Sequence, residues 1–215
     1  MIKLDIWPVL QILTLIILLL PAKRLVALGE RFGNLTAVLV VYFTMLLATV
    51  LWFIVGTRSY APQLFGQFEW RYLSQGLLWG IGLYVVGIIG YVLTQKLFGL
   101  QQPEEAQLFN AKGLNAIMVV GIILVGPVLE EYVFRGLILH SFINLNALSV
   151  VLAVVLSAIL FSVYHLSTFQ LLPTFFWGIG FAILALQAES LWPVTIAHLL
   201  VNGLGFALFT LLPQT

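Results

Sequence analysis

Apolar runs of about 20 residues, the length a helix needs to cross a bilayer, recur along most of this chain. In hydrocarbon every backbone N–H and C=O must be paired internally, which leaves helices and closed barrels as the spanning structures. The runs here are continuous rather than alternating, so the expected fold class is all-α. We expect a polytopic transmembrane helical bundle of about seven spans, six at the least and eight at the most. Composition agrees: 62% of the 215 residues are hydrophobic and 8% are charged, against about 25% charged in an ordinary soluble domain. The formal net charge of +1 gives no reason to expect nucleic acid as a partner. With no cysteine there is no disulfide framework, thiolate metal site or cysteine nucleophile.

The expected spans are Leu4–Leu20, Leu35–Gly56, Ser74–Thr94, Leu114–Ser141, Ala147–Leu166, Phe169–Gln187 and Leu191–Leu212. Leu20-Pro21-Ala22 runs directly into Lys23-Arg24, so the first run reads as a retained span and not as a cleaved signal. Gly76, Gly80 and Gly87 in the third span read as close helix packing. Between spans three and four, Pro103 suits a first helical position and Gly113 a stop, so Pro103–Gly113 reads as a short surface helix. Two regions follow: residues 1–113 as scaffold helices with a polar loop, and 114–215 as a catalytic helical core, together forming one integral membrane domain. Lys23, Arg24, Arg31, Lys96 and Lys112 fall in alternate loops. Their excess favours a cytoplasmic side for those loops and an outside N-terminus.

The polar residues of the spans concentrate in the second region. Gly126–Leu139 sets Glu130, Glu131 and Arg135 in an apolar run. Each such residue costs roughly 2.5–3.5 kcal/mol on insertion scales, so it usually lines a protein interior or a watery cavity. Glu131 and Arg135 are four apart and can pair on one helix face. Glu130 points about 100° away. Pro127 removes a backbone donor just before them, which suggests a helix start or kink. His165 follows Phe161 by four, and Asn202 follows His198 by four. His140 sits near the end of its span and reads as non-functional, and Glu189 reads as part of a turn. One carboxylate, two imidazoles and an amide suffice for hydrolysis of an amide bond by an activated water.

Three motifs carry a resemblance. GPVLEEYVFRGLIL resembles the EExxxR motif of the CPBP family, which contains CAAX prenyl endopeptidases of the Rce1 type and bacteriocin-processing proteases and is also called the Abi family. FSVYH resembles its FxxxH motif and SLWPVTIAHLLVN its HxxxN motif, all in family order. The resemblance implies an intramembrane protease with Glu130 as general base. It implies His165 holding or activating the water, and His198 and Asn202 forming the oxyanion site. Glu131, Arg135 and Phe161 would support these residues. No cofactor is expected. A divalent metal such as zinc stays open, with Glu130, His165 and His198 as its ligands, although a metal-free mechanism makes better use of Asn202.

The expected function is therefore hydrolysis of a peptide bond in a membrane-associated protein or peptide, of the CAAX or bacteriocin-precursor kind. The alternative is a non-catalytic membrane partner, either a bacteriocin immunity factor or a scaffold that stabilises another membrane protein complex. The partners expected are the substrate, the bilayer and, in the alternative, that complex. The expected location is a bacterial plasma membrane or a related internal membrane.

Overall fold

The computed structural model describes residues 43–44, 46–47, 50–51, 65–99, 119–145, 148–165 and 167–211. The first expected span, most of the second, the 103–113 helix and the loop carrying Lys23, Arg24 and Arg31 lie outside the described residues, whereas Lys96, expected in a loop, lies in the last turn of the Trp70–Phe98 helix.

Among the described residues the structure is helical, with no strand. Helix α1 spans Trp70–Phe98 and ends at Gly99, whose φ of 61° supplies a left-handed stop. It begins four residues before the expected third span and ends four after it. Next comes a broken helix. A π turn at Gly121–Val125 leads into α2, Gly126–Glu131; a second π segment at Tyr132–Leu139 leads into α3, His140–Asn144. Helix α4 spans Val150–Tyr164, with Ser149 as N-cap accepting from the Leu152 N–H. Helix α5 spans Leu171–Ala188 and α6 spans Trp192–Leu211. The tight turn between them is made by Glu189 at φ 50°.

Helices α1 and α5 are long and apolar enough to cross a membrane, and α4 and α6 are shorter apolar helices. Leu78, Ile81 and Ile89 on α1, each more than half exposed, give that helix an outward apolar face. Such a face is at home against lipid tails and is uncommon on a monomeric soluble protein.

Helix α1 packs along α6 and against α5, and α5 packs along α4. The contacts are close because glycine sits where they form. A Cβ on Gly87 would overlap the Trp177 indole, whose Nε1–H donates to the Leu83 carbonyl at 2.7 Å. On Gly178 a Cβ would lie 2.8 Å from the Ala158 Cα. Gly76 and Gly80 likewise admit α6 residues, in keeping with the close packing read from the sequence. The broken helix lies against α6 and α4, and all eight residues of its second π segment are buried. An apolar groove of about 320 Å³ opens between the Val150 end of α4 and Ile179, Ile183 and Leu186 of α5. It lies at the opposite end of α4 from His165.

Candidate active site

The helix break begins with donors and acceptors out of register. The Gly126 N–H donates to the Gly121 carbonyl, five residues back. Pro127 has no N–H to continue either an α or a π ladder. The chain recovers α geometry in α2 and presents Glu130 and Glu131 there. The expected kink at Gly126-Pro127 thus takes the form of a π turn in a helix that continues through the proline. Single-turn π bulges of this kind are frequent at functional sites.

Glu131 is fully buried, and both its oxygens are engaged, Oε1 by hydrogen bonds and Oε2 by an ion-pair contact. Oε1 accepts from Arg135 Nη1 at 3.1 Å and from His198 Nδ1 at 2.6 Å. Oε2 faces Arg135 Nε at 3.1 Å. Arg135 is also fully buried. Its Nη2 donates to the Gly178 carbonyl at 3.2 Å, and its Cζ lies 4.3 Å from the Phe161 ring centre and 5.2 Å from that of Phe181. The pairing of Glu131 with Arg135 expected from their spacing is present.

Glu130 is arranged differently. Its Oε2 is 3.7 Å from His198 Nε2 and its side chain is 12% exposed. Among the described residues it accepts no hydrogen bond. Despite an offset of about 100° between Glu130 and Glu131, one imidazole reaches both carboxylates. His198 crosses from α6 to place Nδ1 on Glu131 and Nε2 toward Glu130. An ionised Glu131 can only accept, so His198 Nδ1 carries the hydrogen and Nε2 is the nitrogen turned to Glu130. The ring stacks on Phe181, with centres 4.7 Å apart and planes 24° apart.

His165 follows the same rule from another element. The His165 N–H donates to Ser162, three residues back, which leaves the Phe161 carbonyl without its helical donor. His165 Nδ1 supplies one at 2.8 Å. A carbonyl only accepts, so this Nδ1 also carries the hydrogen and Nε2 is left for other work. Both histidine rings stand edge-on to Phe161, at 4.7 Å for His165 and 5.9 Å for His198. Phe161 thus packs against His165, His198 and Arg135 at once.

Asn202, one turn after His198 on α6, makes a contact of its own. Its Nδ2 donates to the Ile122 carbonyl at 3.0 Å, on the far side of Pro127 from the carboxylates. His140 Nδ1 lies 2.7 Å from the Arg135 carbonyl, so it serves the second π segment. Glu189 forms the α5–α6 turn. Among the described residues no three histidine or carboxylate side chains are arranged to hold a metal ion.

Two contributors escaped the sequence reading. Phe181 stacks on His198 and faces Arg135, and Gly178 offers Arg135 a carbonyl. A phenylalanine in an apolar helix carries no mark of such a role. The glycine-rich run Gly178-x-Gly180 was the available signal, since glycine permits close backbone approach.

Residues 112–204 match the family model described as type II CAAX prenyl endopeptidase, Rce1-like, and this segment contains all three motifs. That match agrees with the resemblance read from the motifs. The chain is 28% identical over 142 residues to the membrane-embedded CAAX protease MroQ of Staphylococcus aureus (strain USA300), covering 62% of this chain and 57% of that protein. It is 26% identical over 129 residues to YdiL of Bacillus subtilis (strain 168), which bears the name of a membrane peptidase, covering 60% of this chain and 48% of that protein. The chain thus spans about half the length of the curated relatives it matches. No solved structure matches it.

Proposed function

We propose that this chain is an intramembrane endopeptidase that uses Glu130 to activate water. The observation carrying the proposal is the inequality of the two adjacent carboxylates. Glu131 has its oxygens engaged by Arg135 and His198, whereas among the described residues Glu130 accepts no hydrogen bond and lies beside one imidazole nitrogen. A base must have an accessible lone pair, and Glu130 is the carboxylate that has one. A gap of 3.7 Å between its Oε2 and His198 Nε2 lets a single water touch both. In the proposed reaction Glu130 takes a proton from that water as its oxygen bonds to the scissile carbonyl carbon. His165 positions the water through Nε2. His198, as the imidazolium with a hydrogen on each ring nitrogen, and the second Nδ2 hydrogen of Asn202 stabilise the developing oxyanion. The C–N bond then breaks as Glu130 delivers the proton to the leaving nitrogen.

The substrate class we propose is a membrane-associated protein or peptide of the CAAX or bacteriocin-precursor kind. Residues 114–215 would carry the chemistry and 1–113 the scaffold, in a bundle of about seven spans without a metal cofactor. The membrane would be a bacterial plasma membrane or a related internal one. The Rce1-like match and the two membrane peptidase relatives support this reading. It is tested with purified protein in detergent and a fluorogenic peptide ending in Cys-aliphatic-aliphatic-X, supplied farnesylated and unmodified. Wild type should cleave at least one form and Glu130→Gln neither. Equal turnover by the two proteins overturns the assignment of Glu130. Failure of wild type on both forms moves the reading to a non-catalytic membrane partner.

A further inference from the structure

We propose that Asn202 is a positioning residue whose amide supplies the hydrogen-bond donor that Pro127 lacks, locking the helix break that aims Glu130. The argument is one of donors and acceptors. In an α ladder the Ile122 carbonyl would accept from the Gly126 N–H, but that N–H goes to Gly121. In a π ladder it would accept from residue 127, which is proline and has none. Ile122 is therefore an acceptor orphaned in either register. Asn202 Nδ2 reaches it from α6 at 3.0 Å. An unpaired carbonyl is costly where water is scarce, so this bond makes the break tolerable.

The same helix face holds the other side of the break. His198, one turn before Asn202 on α6, binds Glu131 at 2.6 Å. The two bonds thus bracket Pro127, one at Ile122 before it and one at Glu131 after it. Glu130 lies inside the bracket. Its placement opposite His198 Nε2 follows from both anchors together. The i, i+4 spacing of His198 and Asn202 is what lets one helix turn supply both. This role concerns the geometry of the site that the proposed proteolysis uses, but it does not depend on turnover, and its test reads folding and accessibility alone.

The chain has no cysteine, so Val128→Cys, on α2 inside the bracket and 37% exposed, gives one reporter thiol. In that background the unfolding midpoint in detergent and the rate of labelling by a maleimide are measured for Asn202→Leu, Pro127→Ala and the double variant. Asn202→Leu should lower the midpoint and change the labelling rate several-fold. Pro127→Ala restores an N–H at position 127, so the Asn202 change should then have little effect on either readout. Equal effects of Asn202→Leu with and without Pro127 overturn the proposal. If Asn202→Leu alone does not accumulate, its recovery by Pro127→Ala reads the same coupling. Asn202→Asp, an isostere that only accepts when ionised, should destabilise at least as much as Asn202→Leu. Wild-type behaviour of Asn202→Asp would also overturn the proposal.

Discussion

Replacing each carboxylate in turn by its amide separates the two roles. In Glu131→Gln the side chain keeps its shape and one acceptor, which still serves the His198 Nδ1–H. The new NH₂ then faces Arg135 Nε across the 3.1 Å now bridged by a carboxylate oxygen, so donor meets donor. Arg135, with no exposed surface, is left as a buried cation. What remains to it is the Gly178 carbonyl, whatever it can draw from the amide oxygen, and the faces of Phe161 and Phe181. Removing one partner of a buried pair costs on the order of 3–5 kcal/mol. At about 2–4 °C per kcal/mol for a chain of this size, the unfolding midpoint should fall by roughly 6–20 °C. Glu130→Gln removes no hydrogen bond among the described residues and leaves a neutral side chain 3.7 Å from His198. Its effect should be within about 1 kcal/mol in either direction. Adding Arg135→Met to Glu131→Gln removes the stranded charge while the amide oxygen still accepts from His198, so the double variant should recover most of the loss. Thermal unfolding in detergent, followed by tryptophan fluorescence, measures all four proteins. A larger loss from Glu130→Gln than from Glu131→Gln would refute the assignment of the two roles.

Gly87→Ala should destabilise by about 1–3 kcal/mol, because the added methyl meets the Trp177 ring in a packed interior; Trp177→Leu in the same chain should relieve part of the loss in the unfolding assay. Phe181→Leu removes the ring stacked on His198 and facing Arg135, and should lower kcat on the cleaved peptide more than it raises KM, since the altered groups serve the reaction and not substrate capture. Single cysteines at Val128, Tyr132 and Thr195 should differ under a membrane-impermeant thiol reagent: Val128, 37% exposed, should label from one membrane side, whereas the buried Tyr132 and Thr195 should not. Failure of Val128 to label while α1-end controls at Lys96 do would argue for a sealed polar network and for the non-catalytic partner.

The three motifs were legible in the sequence because each consists of residues four apart in an apolar run. The Glu131–Arg135 pair needed nothing else, since i, i+4 residues on one helix turn are neighbours. The histidines were legible as members of a site but not in their partners. Nothing in the spacing says that Phe161 offers His165 its carbonyl as well as its ring, because that carbonyl becomes free only when the helix ends there. The π segments were illegible for a related reason. Gly126-Pro127 announced a missing donor, but which carbonyl it orphans depends on a register that only the folded chain defines. That same missing donor was the one clue to Asn202, and it was there to be read: a proline in a buried helix calls for a donor from elsewhere.

The geometry also accounts for two adjacent glutamates. A single carboxylate at Glu131 neutralises Arg135 and fixes the His198 tautomer, but those two tasks occupy its oxygens. Such a group is a poor base, because protonating it would strand a buried guanidinium. A second carboxylate at position 139, four residues beyond Arg135, would lie on the face of the guanidinium and be neutralised too; the place left for it is beside Glu131. The next position, about 100° around the axis, lies within reach of the other nitrogen of the same imidazole and outside the hydrogen-bonding reach of the guanidinium. Glu130 and Glu131 therefore share one histidine without sharing one role. The ion pair carries the structural charge balance, and the proton that moves is left to Glu130.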